Sequence, residues 1–267
     1  MLSKIRRRLT VAQISLEDRV RRIKHTGRTI ASGRARPIRT SVRDDEAPWR
    51  DISIDPIPMP GMITHEEARY YEWIGALYEG LGAAIELGPW LGKSTKHIIR
   101  GLKNNRQFCD QKLYVFDDFI WRTSWMNQHV AEHERLANHA DFRRFFDLHV
   151  KDIQSCLIVS TAKIVDYEGN EHLPRIKWSQ QPIEIMYIDC GRTFEVNEAW
   201  FEVFSECFIP GVTLLVMQDW GTHRERPRLS YNETLLFTNA HPELELIHEV
   251  SEGCLATFLY RGRNCRP

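Results

Sequence analysis

The sequence lacks the long apolar runs that would identify a membrane protein. Nowhere in its 267 residues is there a run approaching the ~20 consecutive apolar residues that a membrane-spanning helix needs. Its first residues carry charges where a signal peptide has an apolar region, so we expect a soluble, cytoplasmic chain. A hydrophobic content of 42% is too high for a wholly disordered chain and is sufficient for a large core.

Closely spaced cysteine pairs are also lacking. The scattered spacing argues against both a zinc cluster and a disulfide framework, so we expect free thiols. The six cysteines are Cys109, Cys156, Cys190, Cys207, Cys254 and Cys265.

An excess of charge of one sign is lacking too, but the net charge of zero conceals two unlike parts. Residues 1–43, which we call the basic arm, hold 13 lysines and arginines against Glu17 and Asp18, a net charge of +11 that leaves −11 for the remainder. Apolar residues recur at helical spacing in the arm and predict a basic amphipathic helix. They are Ile5, Leu9, Ala12, Leu16, Val20 and Ile23.

Three interpretations of the basic arm remain open: contact with an anionic membrane surface, pairing with a second copy as a short coiled coil, or a solvated tail. Residues 44–60 are rich in proline and predict a linker. We therefore expect the main domain at residues 61–267.

Alternating strands and helices are predicted beyond the linker. Thr64 and Glu67 carry the signature of a capping box at the start of a helix. Strands are predicted at 83–87, 113–116, 148–150, 184–188 and 212–217, helices at 94–102, 127–146, 195–208 and 232–239, and a terminal hairpin at 244–250 and 254–260. This order predicts an α/β doubly wound sheet, mostly parallel with an antiparallel C-terminal hairpin, and helices on both faces.

The segment Glu-Leu-Gly-Pro-Trp-Leu-Gly-Lys-Ser-Thr at 86–95 lies where the first predicted strand gives way to a helix. Gly88 and Gly92 would let the backbone turn sharply and approach a ligand at the end of the strand. The segment is not a Walker loop, because Leu87 stands where that loop has its leading glycine. Glu86 suits a ligand with a cationic group and hydroxyls better than a pyrophosphate. A tight turn without a ligand is the alternative.

Acidic residues follow the next two predicted strands. Asp117 and Asp118 end the second strand, where a carboxylate can accept hydrogen bonds from both hydroxyls of a ribose, and Asp117 is the first choice. Asp152 follows the strand predicted at 148–150. We expect it to bind an adenine amino group or to be the N-cap of a helix.

Taken together, Glu-x-Gly-x-x-x-Gly, the acid after the second strand and the closing hairpin resemble the class I S-adenosyl-L-methionine-dependent methyltransferases over about residues 61–262. The strings Leu-Gly-Lys-Ser-Thr, Ile-Asp and Gln-Asp-Trp are similar to those of the bacterial macrocin O-methyltransferase group. The resemblance implies a seven-stranded Rossmann-like sheet, S-adenosyl-L-methionine as cofactor, and O-methylation of a small hydroxylated acceptor such as a sugar or natural-product intermediate. The candidate cofactor contacts are Glu86, Gly88, Trp90, Gly92, Ser94, Asp117, Asp118, Asp152 and Asp189.

The same resemblance implies a metal site. Macrocin-type enzymes bind Mg²⁺ through an aspartate after the fourth strand and two consecutive acids after the fifth. Asp189 and Asp219 match this pattern, but Gln218 replaces the first of the two acids. An amide keeps an oxygen ligand and loses a charge, so we expect Asp189, Gln218 and Asp219 to bind Mg²⁺ weakly. Gly191 stands where those enzymes carry an aspartate thought to be the base.

Three residues are candidate catalytic bases for the acceptor's proton, namely Asp189, Asp219 and His223. The ordinary pKa of a histidine, about 6.5, suits this role, but His223 is equally well explained as a solvated loop residue. Tryptophans at or just beyond strand ends predict either an apolar acceptor wall or part of the core. They are Trp90, Trp121, Trp125 and Trp220.

Two other functions are open. The basic arm would suit an RNA-binding or RNA-modifying protein, although the acidic charge of the main domain argues against nucleic acid as a partner. The departures at Gln218 and Gly191 would suit a non-catalytic scaffold that has kept the methyltransferase fold.

Overall fold

The computed structural model describes residues 47–178, 181–222 and 229–262, without the side chains of 229–232. The basic arm and His223 lie outside the described residues. The amphipathic helix of the arm and the role of His223 therefore stay predictions.

Seven strands form one sheet in the order β3-β2-β1-β4-β5-β7-β6. The strands from β1 to β5 pair in parallel, and β7 is antiparallel to both of its neighbours. The predicted fold class, with its antiparallel end, is confirmed. The bounds are β1 Ala83–Leu87, β2 Leu113–Asp117, β3 Leu157–Thr161, β4 Ile183–Ile188, β5 Leu214–Met217, β6 Leu244–Glu249 and β7 Ala256–Tyr260.

Five α-helices accompany the sheet in the described ranges: α1 His65–Ala76, α2 Lys93–Lys103, α3 Arg143–His149, α4 Phe194–Phe204 and α5 Leu229–Ala240. The predicted capping box is present, because the Glu67 amide donates to the Thr64 hydroxyl and the Thr64 amide donates to the Glu67 carboxylate. No helix in the described part of the chain is both long and apolar enough to cross a bilayer.

Two apolar cores lie on opposite faces of the sheet. Helices α1, α2 and α3 contribute Ile74, Ile98 and Phe146 to one core, and α4 and α5 contribute Trp200 and Phe237 to the other. The connections between β1, β2 and β3 thus cover one face, and those between β4, β5 and β6 cover the other. The change of face falls between β1 and β4, where an open α/β sheet forms a ligand crevice at the carboxyl ends of its strands.

Two predicted elements are wrong. Residues 127–146 contain short 3₁₀ turns and only the start of α3, because the backbone doubles back and Trp121 exchanges hydrogen bonds with His139 and Ala140. Residues 148–150 end α3, and the third strand begins later, at Leu157.

Part of the segment predicted as a linker packs against the main domain. Trp49 is fully buried, with its ring against Tyr70 and Trp73, and its Nε1 donates to Glu66. Trp49, inside the predicted linker, therefore packs against α1, and the bounds of the main domain stay a prediction. Within the described residues no disulfide joins Cys109, Cys156, Cys190, Cys207 or Cys254, while Cys265 lies outside them.

Candidate active site

A cavity of about 380 Å³ opens at the carboxyl ends of β1, β2, β3 and β4. This is where the change of face between β1 and β4 predicts a crevice, and the volume is in the range of small-molecule sites. Five of the candidate cofactor contacts lie on its wall. They are Gly88, Trp90, Asp117, Asp118 and Asp189.

Gly88 and Gly92 have different roles in the turn after β1. Gly88 has a φ of +80°, and a Cβ there would lie 2.9 Å from the carbonyl oxygen of Asp189, so only glycine allows β1 and β4 to approach this closely at the cavity. Gly92 has a φ of +90° and lies outside the cavity wall, where a Cβ would meet Val150 at 2.6 Å. The second glycine therefore serves packing between the turn and the residues after α3.

Glu86 and Ser94 also lie outside the cavity wall. Glu86 is 1% exposed, and the Ser94 hydroxyl donates to its Oε1 across 2.6 Å. Burial raises the pKa of Glu86 to about 7, although the hydroxyls of Ser94 and Thr95 lower it. Near neutral pH this carboxyl can therefore be held ionised by a cationic neighbour or protonated in its absence.

Trp90 combines three features of a ligand-contacting residue. It lines the cavity, its backbone has a φ of +45°, and its buried Nε1 has no hydrogen-bond partner in the described part of the chain. An unpaired buried donor costs about 1–3 kcal/mol, so a ligand acceptor at this atom would stabilise the site. The Trp90 ring lies 5.7 Å from that of Trp125, which also lines the cavity.

The two other tryptophans proposed for an acceptor wall belong to the core. Trp121 is 1% exposed and donates to Asn127, and Trp220 is fully buried and donates to Thr238. Of the four tryptophans, Trp90 and Trp125 line the cavity, so the prediction of an apolar acceptor wall now applies to these two alone.

Asp117 and Asp118 are adjacent, but their surroundings differ. Burial and then the charge of Asp118 raise the pKa of Asp117, against hydrogen bonds from the amides of Phe119 and Trp90. Burial also opposes ionisation of Asp118, but Arg122 outweighs it and lowers the pKa of Asp118 through two hydrogen bonds and its charge. Asp118 is thus committed to protein partners, which leaves Asp117 as the carboxylate available to a ligand.

The loop after β3 forms a wall of the cavity that the sequence patterns do not reveal. Asn170, which is 1% exposed, donates from Nδ2 to Asp118 across 2.9 Å. Lys163, 6% exposed, donates to the Asn170 carbonyl oxygen and pairs with Asp166 at 2.8 Å. The Asn170 hydrogen bond joins the loop to the end of β2, and the Lys163 contacts hold the loop together internally. The nearest signal in the sequence is the four-residue spacing of Asp118 and Arg122, an ion pair at the point where Asn170 meets the end of β2.

Asp152 corrects one prediction about the cofactor site. The strand expected before it is absent, since β3 begins at Leu157, and Asp152 does not line the cavity. Its carboxylate is 62% exposed and pairs with Lys96 Nζ at 2.8 Å. It is not an N-cap either, because the following 3₁₀ turn is capped by Ile153.

The acidic residues after β4 and β5 are close neighbours. Burial and then the charge of Asp219 raise the pKa of Asp189 well above its usual range, and the charge of Arg192 opposes the rise. Arg192 lines the cavity with Asp189, and its Nε donates to Asp219 across 2.6 Å. Asp219 has a φ of +60°, a strained conformation for a residue with a side chain.

Gln218 points into the protein rather than toward the cavity. Its Oε1 accepts from the Tyr71 hydroxyl and its Nε2 donates to Glu67, each across 2.7 Å. The expected magnesium ligands Asp189, Gln218 and Asp219 therefore do not converge as a set. In the described part of the chain, no group of three or more His, Cys, Asp or Glu residues is arranged to hold a metal ion. The residues present do not fit a divalent cation here.

The comparisons with known proteins agree with this architecture. No family model matches the chain, and no curated protein matches it. Solved methyltransferase structures share the fold. The O-methyltransferase NovP has a TM-score of 0.50 at 15% identity, covering 93% of this chain and 100% of NovP. The SAH-bound methyltransferase PaMTH1 of Podospora anserina has a TM-score of 0.50 at 7% identity, covering 93% and 96%.

A third structure, cofactor-bound Rv0187 from MTB, has a TM-score of 0.50 at 13% identity, with 76% of this chain and 83% of that chain covered. At identities this low, the TM-scores of 0.50 establish a common fold and nothing further. The chain has the class I methyltransferase fold that its motifs resemble, and its cavity lies at the carboxyl ends of the strands.

Proposed function

We propose that the protein is an S-adenosyl-L-methionine-dependent methyltransferase that O-methylates a small hydroxylated acceptor, such as a sugar or a natural-product intermediate. The observation that carries this proposal is the cavity at the β1/β4 crevice, which Gly88, Asp117 and Asp189 all line. The SAH complex of PaMTH1, whose fold this chain shares, supports the choice of cofactor.

The cavity residues fit the polar groups of this cofactor. Asp117 would accept hydrogen bonds from the ribose hydroxyls, since Asp118 is already bonded to Arg122 and Asn170. The unpaired Nε1 of Trp90 would donate to an acceptor atom of the ligand. Apolar residues after β3 supply a surface for a base ring, namely Ala162, Ile164 and Val165. When bound, the cofactor supplies an electrophilic methyl group on a sulfonium.

The protein's own part in methyl transfer is to align the acceptor and take its proton. Asp189 is the described carboxylate best suited as the base, because it lines the cavity and has a raised pKa. Asp219 is bonded to Arg192 and lies outside the cavity wall. Trp125 and Met62 add apolar surface to the cavity wall, which would exclude water around an acceptor ring.

Calorimetry on the full chain with S-adenosyl-L-methionine and with its demethylated product tests the cofactor assignment. We expect both to bind, and Asp117→Ala to weaken binding about tenfold or more, because a hydrogen bond to a charged group is worth about 1.5–3 kcal/mol. Asp51→Ala, at an exposed aspartate outside the cavity, is the matched control. Absence of binding of either compound to the wild type would refute the proposal.

The acceptor class needs a separate experiment. The full chain is incubated with cofactor carrying a labelled methyl group and a panel of sugars, phenols and amines. We expect label in an O-methyl product from a hydroxylated acceptor. Transfer only to nitrogen, or cofactor binding with no transfer to any acceptor, would contradict O-methylation.

For the basic arm we propose positioning of the enzyme at an anionic membrane surface. Its net charge of +11 supports this, since each lysine or arginine near such a surface contributes about 1 kcal/mol. Co-sedimentation with phosphatidylserine vesicles should retain the wild type and release a variant lacking residues 1–43. If both remain in the supernatant, the arm has another role.

A further inference from the structure

A positively charged side chain, that of Arg192, lies at the end of the cavity beside β4 and β5. Arg192 lines the cavity with Asp189 and donates from Nε to Asp219 across 2.6 Å. Its guanidinium carbon lies 6.0 Å from the centre of the Trp125 ring, over its face. The Arg192 side chain is therefore held by Asp219 on one side and by the Trp125 ring on the other. Its positive charge lies where the residues after β4 meet those after β5.

The neighbouring position cannot readily supply a third carboxylate. Gln218 follows β5 and is 9% exposed, and its amide bridges the Tyr71 hydroxyl and the Glu67 carboxylate. Glu67 is 1% exposed and fixed by the capping box of α1. An acid at position 218 would place a second carboxylate against Glu67, where an amide donates a hydrogen bond. The fold thus selects a neutral residue at the place where a metal site needs a charge.

We propose that Arg192 takes the place of a divalent cation at this end of the cavity, where it balances the charges of Asp189 and Asp219 and positions the acceptor oxygen by hydrogen bonding. This inference rests on the proposed methyltransferase function. An arginine is charged at every physiological pH and presents N–H donors in a fixed plane. An acceptor oriented by it needs one oxygen as hydrogen-bond acceptor, whereas chelation by a metal ion calls for two neighbouring oxygens. The proposal therefore favours acceptors with an isolated hydroxyl or a carboxylate over vicinal diols.

The binding of Mn²⁺ alone tests this role without an acceptor. Binding is detected as a loss of the electron paramagnetic resonance signal of the free ion. The full-length wild type, Arg192→Ala, Arg192→Lys and Arg261→Ala are compared at neutral pH. Arg261 pairs with Glu245 near the start of β6 and is the control for removal of a paired arginine outside the cavity. Removal of Arg192 exposes two carboxylates to the ion, so we expect Arg192→Ala to bind Mn²⁺ about tenfold more tightly than the wild type or more.

The conservative variant separates charge from structure. Arg192→Lys keeps the positive charge and should resemble the wild type, as should Arg261→Ala. Tight stoichiometric binding of Mn²⁺ to the wild type, removed by Asp219→Asn, would overturn the proposal. So would an Arg192→Ala variant that binds Mn²⁺ no better than the wild type. Each variant is also titrated with the demethylated cofactor, which tests the proposed function separately. A wild type that does not bind this compound would refute the methyltransferase proposal, but not the proposal that Arg192 occupies the position of a cation.

Discussion

Gln218 Nε2 donates a hydrogen bond to Glu67 Oε1 across 2.7 Å, which links the end of β5 to the first turn of α1. The two residues are separated by 151 positions in the sequence. Glu67 also accepts from the backbone amides of Thr64 and Cys254. One buried carboxylate therefore joins α1, the end of β5 and the β6–β7 hairpin.

This contact predicts that Gln218→Glu destabilises the fold. A second buried carboxylate against Glu67 loses a donor and adds repulsion, so the free energy of unfolding should fall by about 1–3 kcal/mol near pH 8. Burial raises the pKa of Glu67, and a second acid raises it further. At acid pH one of the two carboxyls is protonated and can donate, so the loss should shrink as the pH falls toward 5. Urea denaturation at both pH values measures it.

Two variants control this measurement. Gln111→Glu makes the same chemical change at an exposed position and should leave the free energy of unfolding nearly unchanged. The exchange Glu67→Gln with Gln218→Glu restores one amide and one acid to the pair and should recover part of the loss. An equal loss at both pH values would contradict the charge argument.

The pH dependence of methyl transfer should follow Asp189. A base must be ionised, and burial together with Asp219 raises the pKa of Asp189, so kcat/KM should rise as the pH increases through that raised value and level off above it. Asp189→Asn should lower kcat by about 100-fold or more and remove this rise.

A second variant tests the cause of the raised pKa. Asp219→Asn removes the neighbouring charge and releases Arg192, and both changes favour the ionised form of Asp189. The rise in kcat/KM should therefore move to lower pH. A rise at the same pH as in the wild type would show that Asp189 is not the titrating base.

Local sequence patterns predict the alternation of strands and helices and the turn after β1. Gly88 is followed within a few residues by α2, whereas the order of the strands in the sheet is seen only in the structure. The structure places the third strand at 157–161 rather than at 148–150, because both segments are short and only tertiary pairing with β2 distinguishes them. Such runs are ambiguous by periodicity alone.

The missed residues of the site depend on contacts that no local pattern contains. Asn170 meets Asp118 across 52 positions of sequence, and Arg192 meets Asp219 across 27. The family resemblance predicts Gln218 as a magnesium ligand, whereas its amide bonds Tyr71 and Glu67 inside the protein. The sequence pattern predicts Glu67 only as part of a helix cap. Long-range hydrogen bonds thus decide which strand-end residues reach the cavity.

Gly88, which lines the cavity, should tolerate replacement by alanine poorly. Gly88→Ala requires a positive φ and brings a Cβ within 2.9 Å of the Asp189 backbone, which cannot move without distorting the contact between β1 and β4. Gly211 has nearly the same φ, +78°, but has no atom within 4 Å of an added Cβ. Gly211→Ala should therefore show only the backbone cost, about 1–2 kcal/mol. Gly88→Ala should lose more stability in urea and also lose affinity for the demethylated cofactor. Equal losses in the two variants would mean that the close approach at Gly88 is unimportant.

The loop after β3 should depend on Asn170 for its position over the cavity. Asn170→Ala removes the donor to Asp118 and the contact with the Val165 carbonyl oxygen, both made by a side chain that is 1% exposed. A buried hydrogen bond to a charged group is worth about 1.5–3 kcal/mol, so the loop should open more often and affinity for the demethylated cofactor should fall about tenfold or more.

Hydrogen exchange in Asn170→Ala should quicken at residues 163–171 and stay unchanged in β4 and β5. Asn104→Ala, at an exposed position after α2, is the control. Unchanged exchange in the loop together with weakened binding would assign Asn170 a direct contact with the ligand, whereas faster exchange with full affinity would show that the loop wall does not contribute to binding.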